Sequence, residues 1–203
     1  MHKRSTGELA DLSARPPQER ADAARNRNRI LTAAAQLFAE HGVDGVSLDA
    51  IAARAQVGKG TLFRRFGDKA GLAAALLDGE DRDLQERILF GPPPLGPGAA
   101  PAARITAFFD AYLDLLEVNL ELVRLSETAA PGARYRVGSY RFWQHHLAIL
   151  LTEARPELDA DCVAHLLLAP LDADLQHSLR ERGFADGRTR AAVGGLVRQV
   201  LGG

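Results

Sequence analysis

The chain has 203 residues, of which 46% are hydrophobic and 25% charged, with one cysteine and a formal net charge of −1. This is the balance of a protein with a packed core. A lone Cys162 excludes an internal disulfide framework and fits a reducing, cytoplasmic compartment. No run of about 18 apolar residues offers a membrane span, and Met1 to Arg25 lacks the apolar stretch of a secretory signal. Alanine and leucine dominate while β-branched and aromatic residues are sparse, which favours an all-α fold. The net charge hides an asymmetry. Residues 25–69 carry eight Lys and Arg against four acidic residues, whereas residues 70–203 carry thirteen against eighteen. A basic head on an acidic body suits a polyanion-binding protein.

In chain order, residues 1–24 contain Pro16-Pro17 and no sustained periodicity, and are expected to form a flexible arm whose Lys3, Arg4, Arg15 and Arg20 can reach DNA phosphates or a minor groove. From Arg25 to His41, Ile30, Ala34, Leu37 and Phe38 recur on one face of a helix. Gly42 ends it, because glycine enters the left-handed region without steric cost. Ser47 caps a short second helix with Leu48, Ile51, Ala52 and Ala55 inward, and Asp49 suits its dipole. Gln56-Val57-Gly58 forms a turn, and a third helix runs from Lys59 to Phe66. Leu62 and Phe66 face inward, leaving Lys59, Thr61, Phe63, Arg64 and Arg65 outside. Asp68 caps a longer fourth helix carrying Leu72, Leu76 and Leu77.

Residues 91–98, with four prolines, form a loop. Two apolar stripes follow, one from Ile105 to Leu116 and one from Leu120 to Leu125. A helix from Tyr135 to Ala154 and another from Asp161 to Arg182 come next, the latter kinked or split at Pro170. Arg188 to Leu201 forms a last helix. The expected architecture is all-α, about nine helices. It has an arm at 1–24, a helix-turn-helix domain at 25–69 and a helical effector-binding and dimerisation domain at 70–203.

Two short helices joined by a tight turn, the second basic and outward-facing, have the geometry that enters a major groove. Lys59, Lys69 and the first backbone amides of the third helix suit phosphates. Arg64 and Arg65 carry planar forks that can pair with guanine O6 and N7 or with a phosphate. Thr61 offers a hydroxyl and a methyl to a base edge, and Gly60 permits close approach to the DNA backbone.

The segment Ile30-Leu31-Thr32-Ala33-Ala34-Ala35-Gln36-Leu37-Phe38-Ala39-Glu40-His41-Gly42 resembles the first helix of the TetR family of bacterial repressors. Val57-Gly58-Lys59-Gly60-Thr61-Leu62-Phe63-Arg64-Arg65-Phe66, then Asp68-Lys69, is similar to that family's recognition segment, and the likeness runs from Arg29 to Leu77. The resemblance implies phosphate or base contacts for Ser47, Lys59, Gly60, Thr61, Phe63, Arg65 and Lys69, while Arg64 is placed by geometry alone. Three positions depart from the pattern. Phe63 stands where tyrosine is frequent, so a hydroxyl-to-phosphate bond is missing. Gln56 replaces a turn glycine, which costs roughly 1 kcal/mol if that position needs a positive φ. Gly58 replaces a serine cap.

The same resemblance implies an effector pocket among helices five to seven, which Phe108, Tyr112, Phe142, Trp143 and His146 can line, and a dimer made by the last two helices. Leu171, Leu175, Leu179, Val193, Leu196, Val197 and Val200 exceed what one packed face requires, so they are expected at a homodimer interface. Two recognition helices one DNA turn apart also supply affinity that a single short helix lacks.

The expectation is a DNA-binding transcriptional regulator, a repressor released from double-stranded operator DNA by an unidentified small-molecule effector. It needs no cofactor and touches no membrane. A helical enzyme or a protein-interaction module without DNA binding is the alternative. An enzyme would need an activated nucleophile, and Ser47, Ser126, Ser139 and Ser178 lie beside no evident base. Asp161 and His165 have i, i+4 spacing with Cys162 between them, but no further ligand follows in register, so no metal site is expected. In the expected switch, effector binding moves the fourth helix and changes the spacing of the paired recognition helices.

Overall fold

A computed structural model describes residues 17–136 and 138–202, with the side chains of residues 17–20 and Asp186 left aside. Lys3, Arg4 and Arg15 of the expected arm therefore lie outside the described residues, as does the side chain of Arg20. Within the described residues the chain is helical throughout, with no strand. The helices are α1 (Pro17–His41), α2 (Leu48–Arg54), α3 (Lys59–Phe66), α4 (Lys69–Phe90) and α5 (Pro101–Glu127). They are followed by α6 (Gly138–Ala154), α7 (Ala160–Leu168), α8 (Ala173–Glu181) and α9 (Asp186–Leu201).

Helix α1 starts eight residues ahead of Arg25. Ala21, Ala23 and Ala24 are strong helix formers with little to pack against, so propensity carries the helix where no apolar stripe marks it. Gly42 closes α1 at φ 71°. The Ser47 hydroxyl accepts from the Ala50 amide at 3.2 Å and Asp68 Oδ1 from the Gly71 amide at 2.8 Å, so both predicted caps form. Gly58 caps α3 without a side-chain bond.

Two separate cores result. In the head, Ile30, Ala34, Leu37, Ile51, Leu62 and Leu72 bring α1, α2, α3 and the first turn of α4 together. In the body, α5 is the central helix, packed by α4, α6, α8 and α9. Helix α4 crosses from one core to the other, with Leu72 in the head and Leu77, Leu84 and Ile88 in the body. Leu122 of α5 touches both cores. Among the described residues, α4 and α5 are the elements shared by both cores.

The two apolar stripes expected after the proline-rich loop belong to one helix, α5, bent at Asn119 (φ −115°, ψ 16°). The Asn119 amide donates to the Leu115 carbonyl at 3.2 Å, meeting an acceptor where the helical ladder is disturbed. Pro170 does split its segment: α7 ends at Leu168, a 3-10 turn covers Ala169–Leu171, and Asp172 caps α8 through the Leu175 amide at 2.9 Å. No helix among the described residues is long and apolar enough to cross a membrane.

Candidate nucleic-acid interface and effector cavity

Helix α3 stands proud of the head. Leu62 is buried and Phe66 half-buried, while Gly60, Phe63, Arg64 and Arg65 are exposed. At about 100° per residue, Gly60 and Arg64 stand opposite the buried Leu62, with Phe63 on one flank and Thr61 and Arg65 on the other. A Cβ placed on Gly60 would meet no atom within 4 Å, so glycine here leaves open ground in front of the helix rather than relieving a crowded backbone. Phe63 is 62% exposed, an aromatic ring held in water. Neither Arg64 nor Arg65 has a hydrogen-bonding or ionic partner among the described residues.

The other predicted contacts surround this face. The Ser47 hydroxyl serves as the α2 cap and retains its proton for an outside acceptor. Lys59 Nζ lies 2.8 Å from Asp49 Oδ1 on the surface. Lys69 is the first residue of α4, and Thr61 is half-buried beside Arg64 and Arg65. An open cleft of about 810 Å³ between α1, α3 and α4 is lined by Arg27, Thr61, Arg64 and Arg65. Arg27 was not singled out as a contact from sequence. Its only signal there was a share in the positive charge of residues 25–69. It now faces Asp78 of α4 at 3.8 Å.

At the turn, Gln56 has φ 54°. The head thus holds a non-glycine residue in the left-handed region, at a cost of roughly 1 kcal/mol. The anticipated requirement for a positive φ is real.

In the body, a cavity of about 40 Å³ opens between α4, α5 and α6. Of the five residues expected at an effector pocket, Tyr112 and Trp143 line this cavity. Phe108, Phe142 and His146 do not. They pack as an aromatic cluster beside it, His146 stacked on Phe142 at 6.4 Å and edge-on to Phe108 at 6.1 Å. Periodic aromatics built this part of the core, which is why spacing alone overstated their role. The Nε2 atom of His146 is buried without a hydrogen-bond partner among the described residues. Burial, reinforced by Arg104, pulls its pKa down from 6.5 to about 4, so the ring is neutral near pH 7.

The polar walls of the cavity escaped the sequence reading. They come from Asp81, Ser126, Glu127, Arg134, Ser139 and Tyr140. Arg134, 5% exposed, reaches both carboxylate oxygens of Glu127 at 2.6 Å. It also donates to the Leu171 carbonyl at 3.2 Å and the Leu168 carbonyl at 3.0 Å. Glu127 in turn accepts from the Ala173 amide at 3.1 Å. One ion pair thus satisfies carbonyls at the end of α7 and of the 3-10 turn after it, and an amide at the start of α8. Burial pushes the Glu127 carboxyl up, against the pull of Arg134 and the Ala173 amide. Burial also opposes the charge on Arg134, but Glu127, Tyr112 and Asp172 together outweigh it and hold the guanidinium above its ordinary value. Burial likewise raises Asp81, with Asp78 and Glu80 adding to it and a hydrogen bond from Ser139 opposing it.

The expected dimer residues divide. Leu171, Val193 and Val197 are buried in the protomer's own core and have no surface left for a partner. The correction follows from α8 and α9 both packing on α5, which consumes their inner faces. Leu175 (44%) and Leu196 (55%) stay exposed, and Leu179 and Val200 are half-buried. Asp161 accepts from Gln144 at 2.6 Å and His165 Nδ1 meets the Tyr140 hydroxyl at 2.8 Å. No group of three or more His, Cys, Asp or Glu suited to a metal forms among the described residues.

The comparisons agree with this arrangement. Residues 30–76 match the family described as bacterial regulatory proteins, tetR family. The HTH-type transcriptional repressor Rv3405c of Mycobacterium tuberculosis is 32% identical over 162 residues, covering 78% of this chain and 76% of that protein. A TetR-family transcriptional regulator from Pectobacterium atrosepticum superposes with a TM-score of 0.65 at 23% identity, over 90% of this chain and 95% of the other. One from Streptomyces coelicolor gives a TM-score of 0.55 at 26% identity, over 89% and 97%. An outward basic helix on a three-helix scaffold, joined through α4 to a helical body and matched by these relatives, places the chain in the TetR family as a DNA-binding transcriptional regulator, not an enzyme.

Proposed function

We propose that two copies of this chain bind a palindromic operator as a repressor in the cytoplasm, and that a small molecule in the body releases it. The observation that carries the reading is Arg64 with Arg65, exposed and unpaired among the described residues on a helix otherwise anchored by Leu62. An unpaired guanidinium fork at the crest of a docking helix is suited to guanine or phosphate. In this reading Arg64 and Thr61 meet base edges, and Phe63 packs against a thymine methyl. Ser47, Lys59, Arg65, Lys69 and Arg27 hold phosphates, and Gly60 lets α3 sit deep. Residues 25–69 form the DNA-binding unit, completed by Leu72 of α4.

The dimer uses the outer faces of α7, α8 and α9. Leu166, Leu175 and Leu196 are exposed there, with Leu179 and Val200 at the edge. Ligand entering the body cavity presses on Leu77 and Asp81 of α4 and on Val123 of α5. Helix α4 continues into the head, and Leu122 beside Val123 touches the head core. A ligand that favours one position of α4 therefore changes the separation of the two α3 helices.

Selection of binding sites from random duplex DNA tests this. It should enrich an inverted repeat with half-sites a whole number of helical turns apart. Arg64→Ala should lower affinity for that site by ~1–3 kcal/mol and relax one base position. Enrichment of an unrepeated site, or an unchanged preference in Arg64→Ala, would contradict the proposal.

A further inference from the structure

The chemistry of the cavity walls narrows the effector class, on the reading that this cavity is the effector site. Arg134 has its guanidinium committed to Glu127 and to the Leu168 and Leu171 carbonyls. Glu127 is filled by Arg134 and the Ala173 amide. That pair is self-neutralising, so it offers an incoming ligand no net charge. Asp81 is different. It lines the cavity, and no cation pairs with it among the described residues. Burial and the neighbouring Asp78 and Glu80 disfavour its charged form, and Ser139 is the one neutral side chain that favours it.

A second observation points to the same spot. Tyr112 is 6% exposed and lines the cavity, yet no protein group among the described residues hydrogen-bonds its hydroxyl. The hydroxyl therefore keeps open space on the cavity side, where a ligand or water can meet it. Ser126 donates to the Val123 carbonyl at 2.8 Å, so its oxygen keeps lone pairs to accept with. The remaining walls are the indole of Trp143 and the side chains of Leu77 and Leu115.

We propose that the cavity takes the ammonium head of a small primary amine, gripped by Asp81 and the Tyr112 hydroxyl, with its methyl-sized carbon end against Trp143, Leu77 and Leu115. Three N–H donors meet acceptors on Asp81, Tyr112 and Ser126. The indole and phenol rings favour a cation over a neutral head. A cavity of about 40 Å³ suits a head of this size, well below the roughly 150 Å³ of a cavity that holds a benzene ring. A carboxylate or phosphate head is larger and would face Asp81 with no free cation to receive it.

Trp143 is the only tryptophan in the chain, so its emission reports occupancy directly. The full-length protein is titrated with methylammonium, with its neutral counterpart methanol and with formate. The amine should bind at least about tenfold more tightly than the alcohol, as a charge-assisted hydrogen bond allows, and the carboxylate should bind weakest. In Asp81→Asn that preference should vanish while alcohol binding persists, which shows the cavity intact. The wild-type ranking stands as a test of its own should that variant fail to fold. Equal affinity for amine and alcohol, tighter binding of the carboxylate, or a preference that survives Asp81→Asn overturns the proposal. Amine binding that leaves DNA affinity unchanged would uphold the ligand class and overturn the effector reading. DNA release by the alcohol or the carboxylate, but not by the amine, would do the reverse.

Discussion

In the head, Arg64 and Arg65 stand in water with no acidic partner among the described residues. In the body, Arg134 is buried against Glu127 and two backbone carbonyls. The same side chain does different work in the two places. A guanidinium left free at the surface costs the fold little and stays available to an external polyanion. A buried one is tolerable only when its donors are filled, and then it holds together the elements that fill them. The comparison separates residues that recognise from residues that support.

The strongest way to break it is Arg134→Met. Removing one partner of a buried pair strands the other, and roughly 3–5 kcal/mol of stability should be lost in urea unfolding. Pairing that change with Glu127→Gln should recover part of the loss. A single variant as stable as the wild type would show that the pair supports nothing.

A smaller effect sharpens the account of the body. His146 titrates at about 4 in the folded chain, against an ordinary 6.5. Between those values the unfolded chain binds a proton that the folded chain refuses. The contribution of the neutral ring is therefore complete above pH 6.5 and is lost as pH falls toward 4. On the order of 2 kcal/mol is at stake once the partial solvent contact of the ring is allowed for. Unfolding of His146→Leu compared with the wild type at pH 7 and pH 4 should show the variant gaining relative stability at the lower pH. A constant difference would place His146 in water.

The smallest effect belongs to the head. Gln56 at φ 54° bears strain that glycine lacks, so Gln56→Gly should raise stability by about 1 kcal/mol or somewhat less, because glycine also loses more chain entropy on folding. Thermal unfolding checks the sign. A loss of stability would mean that the Gln56 side chain contributes more than the backbone strain removes.

The head was largely legible in the sequence because its determinants are local. The Ser47 cap, the Gly42 stop, the strained Gln56 and the outward Arg64 all lie between residues 42 and 64, and each acts on its own turn. The cavity was not, because Asp81, Glu127, Arg134 and Tyr140 come from four separate segments. Each reads locally as a solvated charge or a half-buried ring. The aromatic stripe misled for a related reason: helical spacing tells that Phe108 and Phe142 face inward, but not whether they meet a void or one another. The dimer surface shows the same ambiguity. Leu171 and Leu175 both read as apolar positions, and only the packing of α8 on α5 decides which one is spent inside the protomer. The start of α1 was missed in the opposite way, since alanines at 21, 23 and 24 extend a helix without drawing a stripe.

The central claim is that α3 sits deep in a major groove, and Gly60 tests it most directly because a Cβ there meets nothing in the free protein. Affinity of the wild type and of Gly60→Phe for the selected duplex is measured across a salt series. The account predicts a steep fall of wild-type affinity with salt. It also predicts at least about a tenfold loss in Gly60→Phe, or ~1.4 kcal/mol, with no loss of folding stability. A stably folded Gly60→Phe that binds as tightly as the wild type, or binding indifferent to salt, would contradict it.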